Sequence, residues 1–253
     1  VNFSAAFVRH VIELRKERKF EGRGLGYRQP LTVERKKESS QLNVLVILCE
    51  SLRKQNLGPY GYNKNTTPKL DRFVNSNVNN TFVFKEPYSV SSTTMLAVPA
   101  VLSGIAPYQH PDLFYSQPLI WDFGRALGAR TFFLSSHTME WYHFDRYYAH
   151  ERLDHFWKKE TSGKPFFNDL GIDDRFTISE LIGQVNQKEP FFGVVQLNST
   201  HYPYKITEQS VKWKGTFEDE YNNSIHYQDS LLGVLFDQLK RSGKLKNTVI
   251  VFT

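Results

Sequence analysis

With 253 residues, 40% hydrophobic and 15% aromatic, the chain has enough apolar material for one domain with a sizeable core, and disorder is not its default state. Five of its six net positive charges sit in residues 1–40, where ten Lys and Arg face five Glu; a surface that tracks nucleic acid needs its charge on the folded body, so that class of partner is set aside. Cys49 is the only cysteine, which excludes an intrachain disulfide, and no stretch reaches the roughly 20 apolar residues that span a bilayer.

In residues 1–20, Phe3, Phe7, Val8, Val11, Ile12 and Leu14 recur at helical spacing between charges, which predicts an amphipathic helix, packed on the domain or leading from a membrane. Gly22, Gly24, Gly26 and Pro30, followed by a charged run, predict a connector over 21–40. The arm is therefore 1–40 and the folded domain 41–253. Val44–Leu48 is a continuous β-branched run, as expected of a strand buried on both faces. Thr131–Leu134, Phe191–Leu197 and Thr248–Phe252 read the same way, with helical patterns at Leu119–Leu127, Phe176–Val185 and Tyr221–Leu239 between them. Alternation of this kind predicts a mostly parallel sheet covered by helices.

Open α/β sheets bind ligands beyond the carboxyl ends of their strands. Four places follow from that rule: Cys49-Glu50-Ser51, Ser135–His137, Asn198–His201, and the position after Thr253. Glu50 alone is open to three readings, as a metal ligand, a substitute helix cap or a surface carboxylate. Ser91-Ser-Thr-Thr-Met-Leu-Ala-Val-Pro-Ala-Val-Leu-Ser-Gly104 predicts a capped helix start and a glycine stop, with Pro99 forcing a kink or a later start. Thr93 or Thr94 serves there as an ordinary N-cap, or as a hydroxyl at a helix N-terminus where a phosphate is favoured and a nucleophile can be activated. His201, in His-Tyr-Pro-Tyr204 at a strand's carboxyl end, is either a satisfied structural histidine or a group placed to hydrogen-bond a ligand or protonate a leaving group, and the position favours the second. Ser135–Trp141, with His143 and Arg146, forms a weaker cluster in which packing competes with a head-group pocket shaped by Trp141 and Arg146. His110, His150 and His155 have no supporting context and are expected on the surface or in loops.

Asn43-Val-Leu-Val-Ile-Leu-Cys-Glu-Ser-Leu-Arg53, with Gly58-Pro-Tyr-Gly-Tyr62 and Thr67-Pro-Lys-Leu-Asp-Arg-Phe73, resembles the opening of the alkaline phosphatase–sulfatase superfamily. Sulfatases carry an oxidised Cys or Ser two residues before a proline, in a Cys-x-Pro-Ser-Arg motif. Here Ala97 occupies that place and Ala100 follows Pro99, which argues against formylglycine chemistry. The better likeness is to the phosphoethanolamine and phosphoglycerol transferases, the lipoteichoic acid synthase-like branch, whose threonine nucleophile lies five residues before a proline. That implies Thr94 as nucleophile, with Thr93 as runner-up, and Glu50 and Thr94 as ligands of a divalent metal, Zn or Mn. His201 and Trp141 become substrate-binding residues.

The resemblance implies a three-layer α/β/α sandwich of alkaline phosphatase type, incomplete at the C-terminus. Tyr227–Gly233, Leu239–Gly243 and Asn247–Thr253 resemble the family's helix–turn–strand, which runs into an Asp-His pair completing the metal site; the sequence ends at Thr253. A first residue other than Met also points to a piece of a longer protein. The implied function of the parent is movement of a phospholipid head group to a glycan or glycolipid acceptor through a phospho-threonine, with little activity in these residues alone. A hydrolase with the same constellation, or a non-catalytic fragment, is the alternative. The implied location is membrane-anchored, through segments outside this chain, with the domain facing the periplasm or cell exterior.

Overall fold

The computed structural model describes residues 42–253 apart from 111, 142–143, 149–151 and 188–189, together with Arg28 and Leu31. The helix expected over 1–20 lies outside the described residues.

Five strands form one sheet: β1 (Asn43–Cys49), β2 (Arg130–Ser135), β3 (His155–Trp157), β4 (Phe191–Leu197) and β5 (Thr248–Phe252), in the order β3-β2-β4-β1-β5. Every pairing is parallel, as the unbroken apolar runs required. Five helices matter for the site: α1 (Pro68–Ser76), α2 (Thr94–Ser103), α3 (Ile120–Ala126), α4 (Asp174–Val185) and α5 (Phe217–Arg241). On one face Leu45 and Ile47 of β1 pack with Leu70 of α1, Ile178 and Leu181 of α4, and Leu232 to Leu239 of α5. On the other, Val46 and Leu48 meet Val98 and Leu102 of α2, Trp121 of α3, and Tyr148. Alternate residues of one strand thus serve opposite cores, each fully buried large side chain stabilising by roughly 1.5–3 kcal/mol. The result is the expected α/β/α sandwich.

All four expected strands are present, and β3 is an addition. It is three residues long at the sheet edge, too short to register as an apolar run. It also corrects the reading of His155, which lies on this strand with Nε2 2.8 Å from Glu180 Oε1. Pro99 does not delay α2; the helix starts at Thr94 and contains it, and the Pro99 carbonyl accepts from Ser103 Oγ (2.7 Å) and Tyr147 OH (3.3 Å). Gly104 closes the helix at φ 71°, where a side chain would be strained.

Arg28 belongs to the stretch read as connector, yet it is buried. Its guanidinium donates to the carbonyls of Phe114 (2.9 Å), Gln117 (2.7 Å) and Tyr147 (3.0 Å) and lies over the Tyr147 ring.

Two buried carboxylates fix the helices. Asp229 of α5 accepts the Lys69 and Leu70 N–H groups at 2.8 Å each, capping α1, whose own cap residue Thr67 makes no such bond. Asp174, at the start of α4, accepts the N–H groups of Asn198 (3.0 Å) and Ser199 (2.9 Å), the Ser199 hydroxyl (2.5 Å) and Gln228 Nε2 (3.3 Å). It thereby fixes the loop leaving β4.

Replacing Asp229 by Ala is expected to cost about 2 kcal/mol of unfolding free energy in denaturant titrations. Burial raises the Asp229 carboxyl from 3.8 to about 6, so between these values the folded state holds the proton that the unfolded state has lost. Its contribution to stability is therefore lost as pH rises through this window, and the gap between wild type and Asp229→Ala shrinks from about pH 4 to pH 6. Asp174→Ala should cost roughly 3 kcal/mol or more, because several buried donors lose their acceptor together, and amide exchange at 198–200 should accelerate.

Candidate active site

β1 ends between its two neighbours. The Glu50 N–H donates to the Leu197 carbonyl (2.9 Å) of β4, and the Cys49 N–H to the Thr253 carbonyl (2.7 Å) beyond β5. The chain then turns sharply at Ser51, which has φ 56°, a left-handed conformation uncommon for a side-chain-bearing residue. Tyr221 of α5 holds that turn: its hydroxyl donates to the Ser51 carbonyl (2.7 Å) and accepts the Arg53 N–H (2.9 Å). Thr200, fully buried after β4, donates its hydroxyl to the Glu50 carbonyl. Both sides of the turn are thus fixed by hydrogen bonds, and the Glu50 side chain projects from it.

Thr94, the first residue of α2, donates its hydroxyl to Glu50 Oε1 at 2.7 Å. Two residues 44 positions apart, singled out separately in the sequence, are thereby brought into direct contact. Ser51 Oγ lies 3.3 Å from the same carboxylate oxygen. Thr93 takes the N-cap position but makes no side-chain cap bond, and no contact between it and Glu50 is present among the described residues. The hydroxyl that reaches the carboxylate is Thr94.

Two histidines complete the surroundings. His201 sits where the β4 loop turns, partly exposed, with Nδ1 2.6 Å from the Tyr202 carbonyl. His137, after β2, is buried, and its Nδ1 is 2.6 Å from the Thr138 carbonyl. A carbonyl can only accept, so each Nδ1 carries a proton, which leaves Nε2 as the ring nitrogen available to a ligand. Burial pushes the His137 imidazole below its ordinary value; the Thr138 bond and the Glu50 carboxylate pull it up, and His201 pushes it further down. Glu50 and His201 are therefore both within electrostatic reach of His137. The Trp141 ring lies beside His137, 5.4 Å between centroids. His143 and the Arg146 side chain lie outside the described residues.

His137 carries weight that the weak match of its segment did not suggest. Its signal was positional, two residues past a buried strand. The segment is clamped by the 168–172 loop: the Thr138 N–H donates to the Leu170 carbonyl (2.7 Å) and the Ile172 N–H to the Ser136 carbonyl (2.8 Å). A side chain at Gly171 would collide with that Ser136 carbonyl, so only glycine fits. Arg53, Thr67 and Asp71, which match the superfamily pattern, act as framework: Arg53 Nε donates to Asn56 (2.8 Å), and Thr67 accepts from the Gly58 N–H (2.8 Å) and donates to Asp71 (3.1 Å). Desolvation, then the charges of Asp174 and Glu50, push the Cys49 thiol well above its ordinary value, which disfavours the thiolate.

Glu50 and Thr94 offer two oxygen donors to a divalent cation. Among the described residues no cluster of three or more acidic, His or Cys side chains is present, whereas zinc takes about four ligands. The pair fits one side of such a site.

Solved structures of similar fold include the C-terminal periplasmic domain of EcEptC from Escherichia coli in complex with Zn (TM-score 0.70, 19% identity, 89% of this chain and 66% of that one). They also include the lipoteichoic acid synthase LtaP from Listeria monocytogenes (TM-score 0.71, 20% identity, 85% and 56%) and an alkaline phosphatase superfamily protein from Vibrio parahaemolyticus (TM-score 0.69, 21% identity, 85% and 54%). At these identities the likeness establishes the alkaline phosphatase-like fold. A curated relative, the putative transferase YhbX of Escherichia coli K12, is 28% identical over 200 residues, covering 78% of this chain and 35% of its own length. The chain thus spans about a third of that relative. A sulfatase family model matches residues 42–253, the whole of the described sheet and both sides of the Glu50–Thr94 pair, and the chain belongs to the sulfatase family.

Proposed function

We propose that the protein of which this chain is part is a metal-dependent phosphotransferase that moves a phosphoethanolamine or phosphoglycerol head group from a phospholipid to a glycan or glycolipid. The observation that carries this reading is the 2.7 Å hydrogen bond from Thr94 Oγ1 to Glu50 Oε1 at the start of a helix. A hydroxyl so placed is held by a carboxylate and faces the positive end of the α2 dipole, where a phosphodiester is stabilised. The absence of the sulfatase Cys-x-Pro motif around Pro99, with Ala97 and Ala100 in its place, favours phosphate over sulfate.

In the first half-reaction Thr94 Oγ1 forms a bond to phosphorus and releases its proton by way of Glu50 Oε1, to which it is already hydrogen-bonded, while the bond from phosphorus to the diacylglycerol oxygen breaks. The leaving oxygen takes up a proton, which His201 in its protonated form donates through Nε2. In the second, an acceptor hydroxyl attacks the phospho-threonine and gives its proton to the neutral His201 imidazole, while the Thr94 oxygen leaves phosphorus and takes a proton back by way of Glu50 Oε1. His137, kept neutral by burial, is suited to accept a hydrogen bond from the substrate through Nε2. Trp141 beside it supplies a wall for the head group. A divalent ion, Zn or Mn, would be held by Glu50 and Thr94 with further donors, and when bound would supply Lewis-acid stabilisation of the phosphoryl charge.

A periplasmic or extracellular setting with a membrane anchor is part of the same proposal. Among the described residues no helix is long and apolar enough to cross a membrane. The reading is supported by relatives of this fold described as the periplasmic domain of EcEptC and as the integral membrane lipooligosaccharide phosphoethanolamine transferase A of Neisseria meningitidis.

The test uses the full-length protein with fluorescent phosphatidylethanolamine or phosphatidylglycerol. The wild type should acquire a head-group-sized mass on Thr94. Thr94→Ala should lose that adduct and at least roughly 10³-fold in turnover, and Glu50→Gln should lose roughly 10²-fold or more. Undiminished turnover in Thr94→Ala rules the mechanism out. Diacylglycerol release that no acceptor accelerates identifies a hydrolase instead.

A further inference from the structure

Beyond the Glu50–Thr94 site, between the loop after His201 and the start of α5, lies a cavity of about 610 Å³ walled by Tyr204, Trp213 and Phe217, with Lys214 and Glu220 among its polar residues. We infer that this cavity is a saccharide subsite that seats the acceptor's sugar ring beside the phosphoryl-transfer centre; the inference rests on the transferase reading for its role, though not for the binding itself.

Three observations carry it. The cavity is joined to the catalytic turn by direct contacts. The Tyr204 N–H donates to the His201 carbonyl (2.9 Å), and the Tyr204 ring packs on Tyr221 (centroids 5.0 Å), whose hydroxyl is bonded to the Ser51 carbonyl and the Arg53 N–H. A ligand against Tyr204 is therefore one side chain away from the turn that carries Glu50.

The aromatic wall is built in advance. Asn223 Oδ1 accepts the N–H groups of Lys212 (2.9 Å) and Trp213 (3.0 Å), and its Nδ2 donates to the Trp213 carbonyl (2.8 Å), which fixes the tryptophan segment on α5. Phe217, 61% exposed, packs against Tyr204 (5.4 Å) and Tyr202 (6.2 Å). Rigid, open aromatic surface is costly to leave in water unless a ligand covers it.

The chemistry of the wall selects the ligand. Flat ring faces beside hydroxyl-binding groups, here the Glu220 carboxylate and the Lys214 ammonium, suit the apolar face and the hydroxyl rim of a pyranose. A quaternary or primary ammonium head group would also sit on aromatic faces. Here the charges of the lining give it no net attraction, since Lys214 offsets Glu220 and Asp219 is already paired with Lys64 at 2.5 Å. The volume, in the range of sites for drug-sized ligands, also far exceeds what a small ammonium group needs.

The test is calorimetric titration of the full-length protein with chitobiose and with maltose, and with choline as the cationic alternative. Binding of either disaccharide is expected in the wild type and, with the same Kd, in Thr94→Ala. Phe217→Ala and Trp213→Ala should each weaken it by roughly tenfold or more. Phe217 is exposed, so its truncation should leave the thermal transition in place should the Trp213 variant fail to fold. Binding of neither disaccharide, affinity unchanged in Phe217→Ala, or binding of choline alone overturns the inference. Saccharide binding that Phe217→Ala abolishes, in a protein that never forms the Thr94 adduct, upholds the subsite and defeats the transferase reading. An adduct without saccharide binding does the reverse.

Discussion

The Asp174 carboxylate is the constraint on which the remaining site geometry depends. It is buried at the first turn of α4, where the helix dipole favours its charge, and it receives donors from the two residues that follow β4. Burial still pushes its carboxyl above the ordinary value, which is the cost of placing an acid there. From the loop it fixes, Thr200 reaches the Glu50 carbonyl, and His201, the next residue, holds its ring against the Tyr202 carbonyl. On the other side Tyr221 of α5 holds Ser51. Glu50 is positioned less by its own strand than by two helices on the same face of the sheet.

The opposite face supplies the hydroxyl that meets Glu50. Thr94 belongs to α2, which packs with Trp121 and Tyr148 in the other core, so the Glu50–Thr94 bond joins the two layers across the strand ends. Arg28 pins its own segment into that second core through three carbonyls, one of them from Tyr147, whose hydroxyl also bonds Pro99 of α2. Arg28 and the helix that carries Thr94 therefore share one tyrosine.

The sheet was legible in the sequence because its central strands are buried on both faces and leave long apolar runs. β3 was not, since three edge residues carry no period. Glu50, Thr94 and His201 were legible because strand ends and a helix start announce themselves, and the structure joins the first two by a direct bond. Asp174 was missed: the helix was expected to begin at Phe176, and the Asp173-Asp174 pair before it was the available signal, with Asp173 as the N-cap. Arg28 was illegible in principle, because its partners are backbone carbonyls at positions 114, 117 and 147, and no pattern local to residue 28 encodes them.

The strand order has a consequence for how such a site comes into being. β1, which carries Glu50, pairs only with β4 and β5, so its partners lie roughly 150 and 205 residues further along the chain. Contacts of such sequence separation close late and slowly. As the polypeptide emerges, the most apolar strand of the sheet must wait, unpaired, until β4 and then β5 have been made. The turn that carries Glu50 thus forms late, and a nascent chain exposes its future core long before the strand ends are assembled.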